Sequence, residues 1–186
     1  AVAALLAGYA LYLANAAGEF RSLAGQPYGQ CQQIPGMPGS EDITIHPRGR
    51  FAYISSDDRR AVINGNLTPG AIFRYDLDAS AGSQAASPVN LTPDADLRFR
   101  PHGISLYVGA DGRETLFVVN HPGESLFGAP DSQDSVPLHT IEVFDVQGST
   151  LVHRQTHADA ALVSPNDVVG VDHDRFYVTN DHGAGP

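Results

Sequence analysis

At 186 residues the chain is long enough for one domain with a sizeable core. Its 11 basic residues, all Arg, stand against 21 acidic ones, for a formal net charge of −10. No basic patch exists to neutralise phosphates, which argues against a nucleic-acid partner. The acidic balance suits a cation-binding protein, and equally one that is acidic only for solubility. The 19 Gly and 13 Pro are scattered at turn positions, a composition that predicts many short strands joined by turns.

Residues 1–18, AVAALLAGYALYLANAAG, carry no charge and are rich in Ala and Leu. They predict an apolar helix at the lower limit of membrane-spanning length. Ala14-Asn15-Ala16 also fits the small-x-small pattern before a signal-peptidase cut. A signal peptide or membrane anchor is the reading taken here; an Ala-rich helix packed on a core is the alternative. Either form of the first reading implies a secreted or membrane-anchored protein at the cell envelope, with membrane or lipid contact through this stretch. Residues 19–40 read as a polar linker around Cys31, the only cysteine, so no disulfide can form within this chain.

From residue 41 a long repeat sets in. Glu41-Asp42 leads ITIHPRGRFAYI and ends at Ser55-Ser56-Asp57; His102-Gly103 leads ISLYVGADGRETLFVV and ends at Asn120-His121; Asn166-Asp167 leads a third strand–turn–strand that ends at Asn180-Asp181. With Asp42, Gly103 and Asp167 in register, the units recur in steps of about sixty residues. Such a repeat predicts an all-β propeller over residues 41–186. Further strands are predicted at Ala71–Leu77, Thr140–Val146 and, more weakly, Thr150–Thr156. Segments 78–96 and 121–137 are predicted as polar loops. The third unit stops after two strands, so the chain reads as about the first half of a ring that continues in a longer protein.

The opening pairs carry the chemistry. If the first strands are innermost, Glu41, Asp42, Asn166 and Asp167 converge at one mouth with His102 and nearby backbone carbonyls. Carboxylates, an amide oxygen and carbonyls are hard ligands suited to calcium. Any single acidic pair is more often a solvated turn; three opening pairs in register are harder to read that way. His102 and His121 sit at neighbouring ends of one hairpin, where they could pass a proton or merely bond to backbone carbonyls. His153 and His157, four apart, form a weak chelating pair. No Gly-x-Ser-x-Gly nucleophile elbow occurs.

The segments GSEDITIHPRGRFAYISS, FRPHGISLYV, LFVVNHPGES and PNDVVGVDHDRFYVTNDH resemble, in order, the serum paraoxonase/arylesterase family. The resemblance implies a six-bladed β-propeller with two calcium ions in its tunnel, hydrolysing aryl esters, lactones and, promiscuously, organophosphates. It implies Glu41 and Asn166 as ligands of the catalytic Ca2+, and Asp42, Asp167 and the carbonyl of Ile104 around a deeper structural one. His102 and His121 become a dyad with His102 as base, and Cys31 the partner of a cysteine near the family's C-terminus. The uncharged N-terminal stretch becomes a retained segment that contacts lipid. The family's remaining ligands, an Asn and an Asp-Asn pair, belong to later blades, so residues 1–186 alone are expected to bind the catalytic calcium poorly and to show little activity. The segments Asp57–Pro69 and Gly123–Pro137 depart from the family pattern, which bears on substrate preference.

Two functions follow. One is a calcium-dependent hydrolase of small-molecule aryl esters and lactones. The other is a non-catalytic, calcium-stabilised propeller that binds a ligand or partner. The histidine pair separates them, because a structural metal needs neither ring. A sugar lactonase with a single metal is a third reading, against which the paired ligands at two depths speak.

Overall fold

The computed structural model describes residues 2–22, 29, 32–66, 68–79, 87–122 and 138–183. Two compact units are present, Ala1–Gln33 and Ile34–Pro186. In the first, the uncharged N-terminal stretch forms the predicted helix, α1, over Val2–Ala16. At 15 residues it falls short of the expected span, and no helix among the described residues is long and apolar enough to cross a membrane. Cys31 and the loop Gly123–Pro137 lie outside the described residues.

The second unit is built from antiparallel strands that follow one another in space as they do in sequence. β1 (Ser40–Ile45), β2 (Phe51–Ser56), β3 (Ala71–Asp76) and β4 (Val89–Asn90) form one four-stranded sheet. β5 (Pro101–Val108), β6 (Glu114–Asn120), β7 (Thr140–Gln147) and β8 (Thr150–His157) form a second. β9 (Pro165–Gly170) and β10 (Phe176–Asn180) pair as a hairpin. Each first strand pairs with the second strand of its own unit, as the repeat predicts.

Two segments outside the predicted strands carry structure of their own. Arg59–Ile63 is a short helix, α2, whose N-cap Asp58 accepts a hydrogen bond from the Ala61 amide at 2.9 Å. Val62 is buried beneath it. Within 78–96, β4 closes the first sheet, and Leu91 packs into the core behind it. A two-residue strand carries no legible period, so the polar composition around it hid the pairing.

The core explains why TLFVV in β6 is apolar without alternation. Leu116 and Val118 face the first sheet, in a cluster with Tyr53, Ile72, Leu91, Phe99, Ile104 and Phe144. Phe117 and Val119 face the other way, in a cluster with Ile141, Val143 and Val168 against the β9–β10 hairpin. Successive side chains alternate between the faces of a strand, so a sheet covered on both sides needs apolar residues at every position. Burying each such side chain contributes roughly 1.5–3 kcal/mol. The second sheet is thereby fixed between the first sheet and the hairpin, with β5 beside both β1 and β9.

Candidate active site

The three opening pairs share a distortion. Ser40 pairs with Ser56 and Ile43 with Ile54, so one residue too many lies between them on β1. Pro101 pairs with Asn120 and Ile104 with Val118, leaving the same excess at His102-Gly103. On β9, Pro165 pairs with Asn180 and Asp167 with Thr179, with Asn166 the extra residue. These are β-bulges, each in an opening pair. A bulge leaves an unpaired residue and re-aims its side chain, which is why bulges gather beside active sites.

The bulges bring the pairs into contact. Asp42 Oδ2 accepts the Ile104 amide at 2.7 Å, across from β1 to β5. Its Oδ1 accepts the Ile43 amide, also at 2.7 Å, and Asp167 Oδ1 accepts the Val168 amide at the same distance. Asp42 and Asp167 thus do the same thing in two units. The middle unit has Gly103 at that position, and the reason is space. A Cβ there would overlap the Asn166 carbonyl oxygen and lie 2.7 Å from Asp167 Cα.

His102 completes the crossing. Its Nδ1 lies 2.9 Å from the Asn166 carbonyl oxygen, and only an N–H can make that bond, so Nδ1 carries the proton. In the neutral ring the lone pair then belongs to Nε2, which sits 3.3 Å from Glu41 Oε1. The His121 ring stands edge-on to His102 with centroids 5.2 Å apart. Its amide donates to the Arg100 carbonyl, tying the end of β6 to the start of β5 as the hairpin predicts. Both rings are buried. Burial holds the His121 pKa down, to about 3, with the neighbouring His102 and His139 and the Arg59 and Arg100 cations adding to the effect.

Asn166 donates from Nδ2 to Asp181 Oδ2 at 3.0 Å. The Ile104 amide is held by Asp42 and its side chain is in the core. Among the described residues, no arginine pairs with Glu41, Asp42 or Asp167. No three His, Cys, Asp or Glu side chains among them lie close enough to hold one metal ion. The donor chemistry therefore fits part of a hard-cation site rather than a complete shell. A cavity of about 330 Å³ opens beside Glu41, between Asp57, Asp58, Arg59, Arg60 and Pro101.

His153 and His157 do not act as a pair. Register slips between Val143 and Phe144, so Arg154 is the extra residue and the two rings part. His153 rests on Phe144 and bonds Glu142 at 2.8 Å; His157 rests on Phe176. The sequence reading missed the groups that hold the site from behind. Asp57, at the end of β2, is buried and paired with Arg100 at 3.0 Å. Asn120 accepts the Arg100 amide at 2.7 Å and donates to Thr140 and Glu142. His139 meets His121 directly, Nδ1 to Nδ1, at 2.8 Å. The meander could have revealed it, since antiparallel β6 and β7 bring the residue after one strand opposite the residue before the next.

Bulged antiparallel meanders here gather carboxylates and histidines at one end of an all-β protein, and similarity to known proteins gives its family. The arylesterase family pattern matches residues 27–184, and the chain belongs to that family. It is 36% identical over 186 residues to serum paraoxonase/arylesterase 2 of Gallus gallus, covering 97% of this chain and 48% of that protein. It is 34% identical over 157 residues to serum paraoxonase/lactonase 3 of Mus musculus, covering 82% and 40%. Against serum paraoxonase/arylesterase 1 of Homo sapiens the figures are 33% over 156 residues, 82% and 40%. The chain spans about half the length of the curated relatives it matches.

Proposed function

We propose that the protein is a calcium-dependent hydrolase of aryl esters and lactones, and that residues 41–186 are about the first half of a six-bladed propeller. The observation that carries the reading is the orientation of His102: with Nδ1 bonded to the Asn166 carbonyl, Nε2 is turned to the acidic opening beside Glu41. The names of the relatives, arylesterase and lactonase, supply the substrate classes. The propeller reading is supported by two meanders and a hairpin packed face to face, and by Val169 and Tyr177, which leave the hairpin's outer face apolar and exposed.

Glu41 and Asn166 would hold a catalytic calcium, and Asp42, Asp167 and the Ile104 carbonyl a second ion, with further ligands from later strands. When bound, calcium supplies Lewis-acid polarisation of an ester carbonyl. The chain's own residues do the rest. His102 Nε2 takes a proton from water, whose oxygen attacks the carbonyl carbon; the C–O bond to the leaving alcohol or phenol breaks as that oxygen regains a proton. His121, buried and neutral, stands edge-on against the His102 ring and orients it. The cavity between Glu41 and Arg59 admits the substrate. The uncharged α1 supports a location at the cell envelope, in contact with lipid.

The test is hydrolysis of phenyl acetate and of a lactone by the full-length protein, with calcium and after EGTA. Turnover is expected to vanish with EGTA and to fall at least about a hundredfold in His102→Gln. Unchanged turnover in that variant removes His102 as the base. Calcium-dependent thermal stabilisation without turnover of either substrate leaves a binding propeller instead.

A further inference from the structure

His139 precedes β7, and strand register dictates where it goes. β6 and β7 pair Asn120 with Thr140, so His121 and His139 extend the same ladder from opposite strands. Their rings stand nearly perpendicular at 5.0 Å, both are buried, and their Nδ1 atoms lie 2.8 Å apart. Two facing ring nitrogens at that distance need one proton between them. With two protons the N–H groups repel, and with none the lone pairs do. A neutral imidazole has one protonated nitrogen, so the contact forces opposite tautomers on the two rings.

The neighbours of both rings are clamped by one buried carboxylate. Glu142 accepts from Thr140 Oγ1 at 2.6 Å and from Asn120 Nδ2 at 3.4 Å, and also from Thr156 Oγ1. Asn120 adjoins His121 and Thr140 adjoins His139. The network therefore sets the separation of the two backbones that carry the rings.

We propose that His139 is a positioning residue of the candidate active site: the proton shared between its Nδ1 and that of His121 selects the tautomer and ring orientation of His121. The pair His102–His121 becomes a chain of three rings. His139 acts through His121 and not on the substrate, and its part in turnover rests on the reading of His102 as the base. A purely packing role makes a different demand, since it is satisfied by any ring of similar volume.

The experiment uses the full-length, calcium-loaded protein. Nitrogen-15 spectra of the histidine rings, assigned with His121→Gln, report the His121 tautomer without any need for turnover. The wild type is expected to show a single tautomer. His139→Phe keeps ring volume and is expected to give a tautomer mixture at His121, with phenyl acetate kcat down about tenfold and KM within about twofold. His139→Gln, which can still share one hydrogen bond, is expected to recover part of kcat; it takes over both readouts if the Phe variant does not fold. A folded variant with the His121 spectrum and kcat of the wild type overturns the proposal. If instead His102→Gln leaves turnover intact, the base reading fails alone, and the His121 spectrum still decides the role of His139.

Discussion

The two ends of β1, β5 and β9 are built on different principles. At the end remote from the histidine cluster, strands are joined by side chains that bond one another. His46 meets Glu114 at 3.0 Å, Thr115 meets His173 at 2.8 Å, and Arg154 meets Asp174 at 2.7 Å. Asp111, Asp145 and Asp172 there also have a His or Arg partner. At the opening end each strand is bulged, and the carboxylates of Asp42 and Asp167 are held by backbone amides. An N–H dipole orients a carboxylate without cancelling its charge. One end therefore closes on itself and the other keeps oriented negative charge, a role that under the proposed function ends with calcium.

Breaking the opening end is expected to cost most where charge is buried. Asp57 and Arg100 have side chains only 5% and 15% exposed, and Arg100 leads directly into His102. Asp57→Ala leaves the guanidinium without its carboxylate, at a cost of about 3 kcal/mol in urea unfolding. Arg50 and Asp78, at the other end of the first sheet, form the same kind of pair with side chains 74% and 58% exposed. Arg50→Ala is expected to leave the unfolding midpoint where it is, because solvent screens such a pair. Equal losses in the two variants would erase the distinction.

Two glycines sharpen the comparison with a smaller effect. At Gly103 an added methyl meets backbone: the Asn166 carbonyl and Asp167 Cα. Backbone bound on both sides cannot give way, so Gly103→Ala is expected to cost about 2 kcal/mol and to reduce activity with it. At Gly109, at the remote end, the obstacles are side-chain atoms, Asp111 Oδ1 and His173 Nε2, rather than backbone. Gly109→Ala is expected to cost less than about 1 kcal/mol and to leave turnover intact. Thermal unfolding and phenyl acetate turnover of both variants check the pair.

Much of this asymmetry was legible before the fold was. The step of about sixty residues placed Glu41-Asp42, His102-Gly103 and Asn166-Asp167 at equivalent positions, and apolar runs between turn residues gave the long strands to within a few residues. The bulges were not legible, because the extra residue is defined only by what lies opposite on the partner strand. Gly103 stood in register with Asp42 and Asp167, and only the neighbouring Asn166 backbone shows why a glycine is there. Asp57, Arg100, Glu142 and His139 were hidden for a related cause: each matters through a partner 11 to 43 positions away in sequence. The roles that resemblance assigned to Ile104 and Cys31 have no periodic or local signal at all.

The last comparison concerns acid stability at the opening end. In the unfolded chain His121 titrates near 6.5; in the fold, burial first and then the neighbouring histidines and arginines hold it neutral down to about 3. Below 6.5 the unfolded chain thus binds a proton that the folded one does not. The His121 contribution is fully present above pH 6.5 and is lost as pH falls towards 3, with a slope of at most about 1.4 kcal/mol per pH unit. Urea midpoints between pH 7 and 4 check it. His121→Leu removes the titrating group, so its midpoint is expected to fall less steeply over that window than the wild type's, whatever its value at pH 7. Parallel pH curves would mean that the His121 ring takes up its proton in the fold as readily as in the unfolded chain. A neutral ring wedged between His102 and His139 would then be the wrong description of this end of the sheets.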